Sequence, residues 1–180
     1  MIEKVENWEE LSCENVFSNK YGRGIEKKVF RLPDGKECEF FLNSGNDSVF
    51  CLAMTKDKKV ILVKQFRPGP AKILLGMPGG GVNSGEDIKI AIERELLEET
   101  GYKGKPKFVE TVFPSAYAMY KKNFFIVNEC EKITEPKSED NGEVLELILL
   151  SLDEFRAHIK TGQMTDIGGA YLCLDQLGLL

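Results

Sequence analysis

Apolar residues recur in two rhythms along this chain, and the change from one to the other outlines its elements. Between residues 27 and 64 they come in short runs of strand length. Lys27 to Leu32 and Glu37 to Leu42 flank Pro33-Asp34-Gly35, where proline fixes φ and glycine permits a positive φ, so a hairpin is predicted. Val49 to Met54 and Val60 to Lys64 flank Lys56-Asp57-Lys58 and predict a second hairpin. Both runs are rich in apolar residues, as strands in a buried sheet are. Leu74 to Gly81 reads as a strand end running into a glycine-rich loop. From about Glu86 to Thr100 the period becomes helical, with Ser84 and Asp87 resembling a capping box and Gly101 standing where a terminating glycine belongs. Strands resume at Phe108 to Phe113, Asn123 to Val127 and Val144 to Leu150; an acidic stretch, Glu135 to Glu143, separates the last two. Two helices close the chain, Ser151 to Lys160, with Ser151 and Glu154 in a capping pattern, and Asp166 to Leu177. Strands mixed with helices in this order predict an α+β fold or an α/β/α sandwich on a mixed sheet.

Composition narrows the partners. A chain of 180 residues with 42% hydrophobic content favours one domain with a sizeable core. A net charge of −5 offers no general attraction to nucleic acid or a membrane surface. No apolar run approaches the ~18 residues of a membrane span. The charged start, Met1 to Glu6, lacks the apolar core of a signal peptide. Five scattered cysteines, Cys13, Cys38, Cys51, Cys130 and Cys173, form no C-x-x-C pair and suggest reduced, mostly buried thiols in a cytoplasmic protein.

The chemistry is concentrated in Glu93-Arg94-Glu95-Leu96-Leu97-Glu98-Glu99. At the helical period Glu95, Glu98 and Glu99 share one sector, with Ile92 and Leu96 expected as one apolar shoulder and Ile90 and Leu97 as the other. Like charges so placed cost roughly 0.2–0.5 kcal/mol per pair. The helix C-terminus disfavours each by roughly 0.3–1 kcal/mol more. A solvated charged face is the plain alternative for Glu-Glu pairs alone. A bound hard dication would resolve the conflict, and the Arg94 fork can hydrogen-bond a neighbouring carboxylate.

The full constellation resembles the Nudix box, G-x5-E-x7-R-E-U-x-E-E-x-G-U with U bulky and apolar. Gly80, Glu86, Arg94, Glu95, Leu96, Glu98, Glu99 and Gly101 match at the right spacing, and Tyr102 puts an aromatic at the last position. The resemblance implies a Nudix-type α/β/α sandwich, with residues 1–45 an N-terminal antiparallel strand region of the same domain and residues 46–180 the hydrolase domain proper. It implies Mg²⁺ or Mn²⁺ as cofactor and hydrolysis of a nucleoside diphosphate linked to another group. Glu95 and Glu99 would be the leading metal ligands, with Glu98 a third ligand or water-activating partner and the Gly79 carbonyl a further ligand. Arg94 would orient a glutamate, Glu86 would support the site from the helix start, and Gly80 would lie against substrate.

Features outside the box resemble the ADP-ribose pyrophosphatase-like branch, whose members are commonly homodimers sharing N-terminal strands. Gln65-Phe66-Arg67 looks like that branch's segment before the box, Leu32 to Gly35 like its hairpin, and Gly162 to Asp166 like its C-terminal end. Arg67 is then the candidate phosphate or ribose contact, with a structural salt bridge as its competing role; Phe66 is expected in the core. Two positions depart from the branch: Gly76 replaces a usual glutamate, and Ala116 replaces a usual proline after the box. Tyr117 and Tyr120 lie in that loop and could stack on a base or simply pack. A nucleotide sugar is the expected substrate, ADP-ribose first, with a GDP-sugar, a dinucleoside polyphosphate or a non-catalytic binding role as alternatives. A loop acid is expected to take a proton, Glu143 first, then Asp140 and Glu139, with Glu135 in the same stretch. His158 is expected on the surface.

Overall fold

The structure, a computed structural model, describes residues 5–137 and 144–180. The described residues form two compact units, one of residues 5–46 with 113–121 and one of residues 47–112 with 122–137 and 144–180.

The first unit is an antiparallel sheet of β1 (Glu9–Ser18), β2 (Gly24–Arg31) and β3 (Glu37–Ser44), in that order. The predicted turn joins β2 to β3, with Gly35 at φ 84° and its N–H donating to the Leu32 carbonyl. Strand β1 was not legible, because its apolar positions do not alternate and the pairing with β2 shifts register twice. The segment 113–121 joins this unit through Asn43, whose backbone bonds Tyr117 and Met119. Trp8, Phe30 and Phe40 cluster with ring centroids 5.5 to 6.2 Å apart.

The second unit holds the core. Its mixed sheet runs β10 (Glu146–Leu150), β5 (Val60–Arg67), β4 (Ser48–Thr55), β9 (Lys122–Lys132), β8 (Tyr102–Val112). Strand β6 (Lys72–Gly76) adds to β5, and β7 (Gly79–Gly81) to β4. Only the β4–β9 pairing is parallel among these described ladders. Alternation along β4 divides the core. Phe50, Leu52 and Met54 face helices α2 (Leu152–Ile159) and α3 (Ile167–Gln176). Val49, Cys51 and Ala53 face α1 (Ile88–Thr100). The expected α+β sandwich is therefore present, and the continuous apolar runs in β4 and β5 follow from cover on both faces.

Details of the helices depart from expectation. Asp87, not Ser84, caps α1, accepting from the N–H groups of Lys89 and Ile90; Gly85 at φ 76° turns the chain between them. The Ser151–Glu154 capping box is present. Ile90 is 60% exposed, so α1 docks by one flank, through Ala91, Ile92 and Leu96, rather than between two shoulders. Phe66 is also exposed, opposite exposed Ile73 on β6, because that end of the β5–β6 pair extends past the core. Cys51, Cys130 and Cys173 are buried, and all five cysteines are free thiols. The His158 ring bonds the Gln163 carbonyl across the turn after α2.

Candidate active site

Sequence places the acids on α1, and α1 is anchored at both ends. Its last turn closes on Gly101, at φ 74°, whose N–H donates to the Leu97 carbonyl. A side chain at 101 would collide with the Thr134 carbonyl, 2.0 Å from where its Cβ would stand. Glycine is therefore required twice, for the left-handed turn and for the close approach.

Arg94 organises the cluster. Its Nε and Nη2 donate to the two oxygens of Glu86, each at 2.9 Å, a bidentate pair. Its Nη1 donates to Glu95 at 2.7 Å and, more weakly, to Glu98 at 3.4 Å. Nη2 also donates to the Gly81 carbonyl at 3.0 Å, which ties the helix to the glycine loop. Arg94 thus holds three carboxylates where one was expected. Glu86 is drawn in further by the Asn83 N–H. The Arg94 hydrogen bonds and that N–H pull the Glu86 carboxyl down to about 2, and the same pairing pushes the guanidinium up.

Glu99 behaves differently. It is buried, and it accepts from the Gly79 N–H at 2.8 Å. Gly79 sits at φ 153° against β4, where a Cβ would lie 2.1 Å from the Val49 carbonyl. Gly80 lies against the acids in a different way, since its Cβ would come within 2.6 Å of the Glu95 carboxylate, the movable end of that side chain. The glycine loop therefore brings backbone against the acids at closest approach.

Lys137 completes the cluster and was not legible in sequence. Its Nζ bonds Glu98 at 2.8 Å, and its backbone N–H donates to the Glu98 carbonyl, also at 2.8 Å. Lys137 first, and Arg94 second, lower the Glu98 carboxyl. No local signal links positions 39 residues apart.

Counted formally, Glu86, Glu95, Glu98 and Glu99 carry four negative charges against two positive ones from Arg94 and Lys137. A residue of two negative charges matches one dication. Among the described residues no three acids form a ready cation cage, because their oxygens turn toward Arg94, Lys137 and Gly79. Carboxylate oxygens are hard donors and suit a hard divalent cation, which can complete its shell with water and substrate phosphate.

The other expected residues fall elsewhere. Arg67, at the end of β5, is half-buried and forms no salt bridge among the described residues, so the structural ion pair that competed for it is absent there. Glu143, Asp140 and Glu139 lie outside the described residues. Glu135 is exposed and its carboxylate accepts from Lys132 at 2.8 Å. Tyr117 is exposed and Tyr120 half-buried.

Comparison with known proteins bears on this geometry. Residues 46–166 match the NUDIX domain family. The chain is 29% identical over 167 residues to the ADP-ribose pyrophosphatase of Bacillus subtilis (strain 168), covering 89% of this chain and 88% of that one. It is 27% identical over 160 residues to the methanol dehydrogenase activator of Bacillus methanolicus, covering 87% and 85%. A crystal structure of an ADP compounds hydrolase superposes with a TM-score of 0.78 at 17% identity, over 99% of this chain and 100% of that one. The matched region contains the whole glycine loop and glutamate helix, so the spacing noted in the sequence and the cluster built around Arg94 have one origin: this chain belongs to the Nudix family.

Proposed function

We propose that this Nudix protein is a metal-dependent hydrolase of a nucleotide sugar, ADP-ribose first, yielding a nucleoside monophosphate and a sugar phosphate. The observation that carries the reading is the gathering of Glu86, Glu95 and Glu98 on one guanidinium beside buried Glu99. The similarity to an ADP-ribose pyrophosphatase along most of both chains supports the choice of substrate.

Glu95 and Glu99 would hold Mg²⁺ or Mn²⁺, with Glu98 and the Gly79 carbonyl as further donors. The metal, when bound, neutralises diphosphate charge and makes water a better nucleophile. The chain's own work is positional. Arg94 keeps Glu95 and Glu98 from swinging into solvent, and Glu86 fixes the Arg94 fork from the helix start. Glu98 remains a carboxylate near neutral pH and can accept a proton from water. Glu143, Asp140 and Glu139 stand as further candidates for that proton. Gly80 would present its backbone to the diphosphate at the loop, and Arg67, which forms no salt bridge among the described residues, would offer its guanidinium to phosphate or ribose.

The test is a panel of nucleotide sugars and dinucleoside polyphosphates with Mg²⁺ or Mn²⁺, reading nucleoside monophosphate release. ADP-ribose cleavage that EDTA stops and either metal restores is expected, and Glu99→Gln should lower kcat by at least ~100-fold in a folded protein. Tight nucleotide binding without product would establish a sensor in place of an enzyme.

A further inference from the structure

A cleft opens where the layer of α2 and α3 meets the end of β4. Met54, the last apolar residue of β4, lines it, with Leu152 at the start of α2 and Leu177 and Leu179 just past the end of α3. The remaining lining residues are polar, Lys58 and Asn128. The cleft has a volume of about 290 Å³, near the lower end of small-molecule sites, which run from ~300 to ~1,000 Å³. It is remote from the glutamates. Phe50 on β4 pairs with Gly79 of the glycine loop, whereas Met54 lies four residues further along the strand, about 13 Å, and faces away from α1.

The walls of the cleft are held in place. Helix α3 ends in a Schellman turn: Gly178 sits at φ 66°, and the Leu179 N–H donates to the Leu174 carbonyl at 2.9 Å, which folds Leu179 back onto the helix. The polar side holds strained backbone. Among the described residues four other than glycine have a positive φ, and two of them are here. Lys58, at φ 64°, occupies the turn between β4 and β5, in a conformation that glycine or asparagine adopts more readily. Glu129, at φ 56°, is next to Asn128 in a bulge of β9: Ala53 pairs with Val127 but Thr55 with Cys130, so β9 carries one residue more than β4. Bulges re-aim side chains, and strain of this kind gathers at functional sites.

Neither polar group has a partner among the described residues. The Lys58 ammonium forms no salt bridge there, although its neighbours Lys56 and Asp57 are each bonded, to Glu131 and Thr55. The Asn128 carboxamide makes no side-chain hydrogen bond there either. Both residues are exposed, so they stand on the solvent side of an apolar hollow. This lining selects among ligand classes. A phosphate or diphosphate draws on several donors at once, more than the cleft supplies. A wholly apolar molecule leaves the ammonium and the amide unused. An apolar body ending in one carboxylate uses every lining group, since both the ammonium and the amide can donate to it.

We propose that this cleft is a second binding site, for a small amphipathic monocarboxylate whose apolar body lies among Met54, Leu152, Leu177 and Leu179 and whose carboxylate meets Lys58 and Asn128. The site is independent of the hydrolase reading. Octanoate and its uncharged amide, octanamide, are the probes, added to the full chain with isotope-labelled leucine and methionine methyl groups. Octanoate should shift the methyl signals of those leucines and Met54 saturably, with a Kd in the millimolar range or tighter. Lys58→Met removes the charge and keeps a chain of similar length. It should lower the affinity for octanoate relative to octanamide at least about threefold, the scale of an exposed ion pair. Leu177→Phe, which fills the hollow, should weaken both probes. No saturation by about 10 mM, shifts centred on other residues, undiminished binding in Leu177→Phe, or a relative affinity changed less than about threefold by Lys58→Met overturns the site. Thermal melting shows whether Leu177→Phe folds; if it does not, Lys58→Met, at an exposed position, decides alone.

Discussion

The site depends on single atoms, and Arg94 has the most to lose. Removing it leaves Glu86, Glu95 and Glu98 without their shared donor, and the like charges then repel one another. Arg94→Ala should lower kcat/KM by at least ~100-fold, and Arg94→Lys should recover little, because a point charge cannot make the bidentate bond to Glu86. Kinetics on variants with normal melting curves would check this. The same pair predicts an acid limb of stability. The Glu86 carboxyl is lowered from 4.5 to about 2 in the folded state. A depressed carboxyl stabilises the fold fully above its unfolded value, and that contribution is lost as pH falls from about 4.5 toward about 2. Urea titrations across that window should show a shallower decline in Glu86→Gln than in wild type; equal slopes would remove the pair from the acid response. Gly80→Ala tests the loop side, since its methyl would displace the Glu95 carboxylate. A drop in kcat of at least ~10-fold with little change in melting temperature is expected.

At the scale of elements, α1 must be rigid to present its acids, and its rigidity comes from one buried flank. Leu96 is 1% exposed, packed with Ala91, Ile92 and Phe125. Leu96→Ala should cost about 2–5 kcal/mol by urea unfolding. On the opposite face, a side chain at Gly169 would come within 1.9 Å of the Phe124 ring, so α3 needs glycine to dock. Which parts of this were legible in the chain follows from how local each cause is. The β2–β3 turn, the α2 capping box and the Gly101 stop are set by residues within a few positions, and they were read correctly. The apolar runs of β4 and β5 identified a buried sheet and the hairpin that pairs these two strands, though not which other strands join them. Errors arose where a distant contact decides. Ser84 loses the cap to Asp87 because Gly85 turns the chain first. Phe66 and Ile90 read as core by type, but the sheet and helix carry them past the packed region. Lys137 reaches its partner only through the fold.

For the molecule as a whole, the described part of the first unit presents a physical problem. None of its described residues is buried, while Trp8, Val16, Phe17, Tyr21 and Phe41 are each about half exposed or more. A small sheet without its own core is marginally stable in water. Strand β1 is moreover an edge ten residues long, and such an edge offers unpaired backbone groups to another chain. Its ion pairs, Arg31 with Glu9 and Glu37 and Lys28 with Glu10, are exposed and add little. Burying one Phe or Val side chain in an interface contributes roughly 1.5–3 kcal/mol, so a second copy seated on this sheet would supply what the unit lacks. The full chain should therefore run as a homodimer, at twice 20.3 kDa by light scattering. Charging the edge with Val16→Glu and Phe17→Glu should shift it to monomer and lower its melting temperature in a concentration-dependent way, since a dimer is stabilised by mass action. A wild-type chain that stays monomeric at micromolar concentration, with the same melting temperature as the charged variant, would show that these apolar side chains serve no dimer contact.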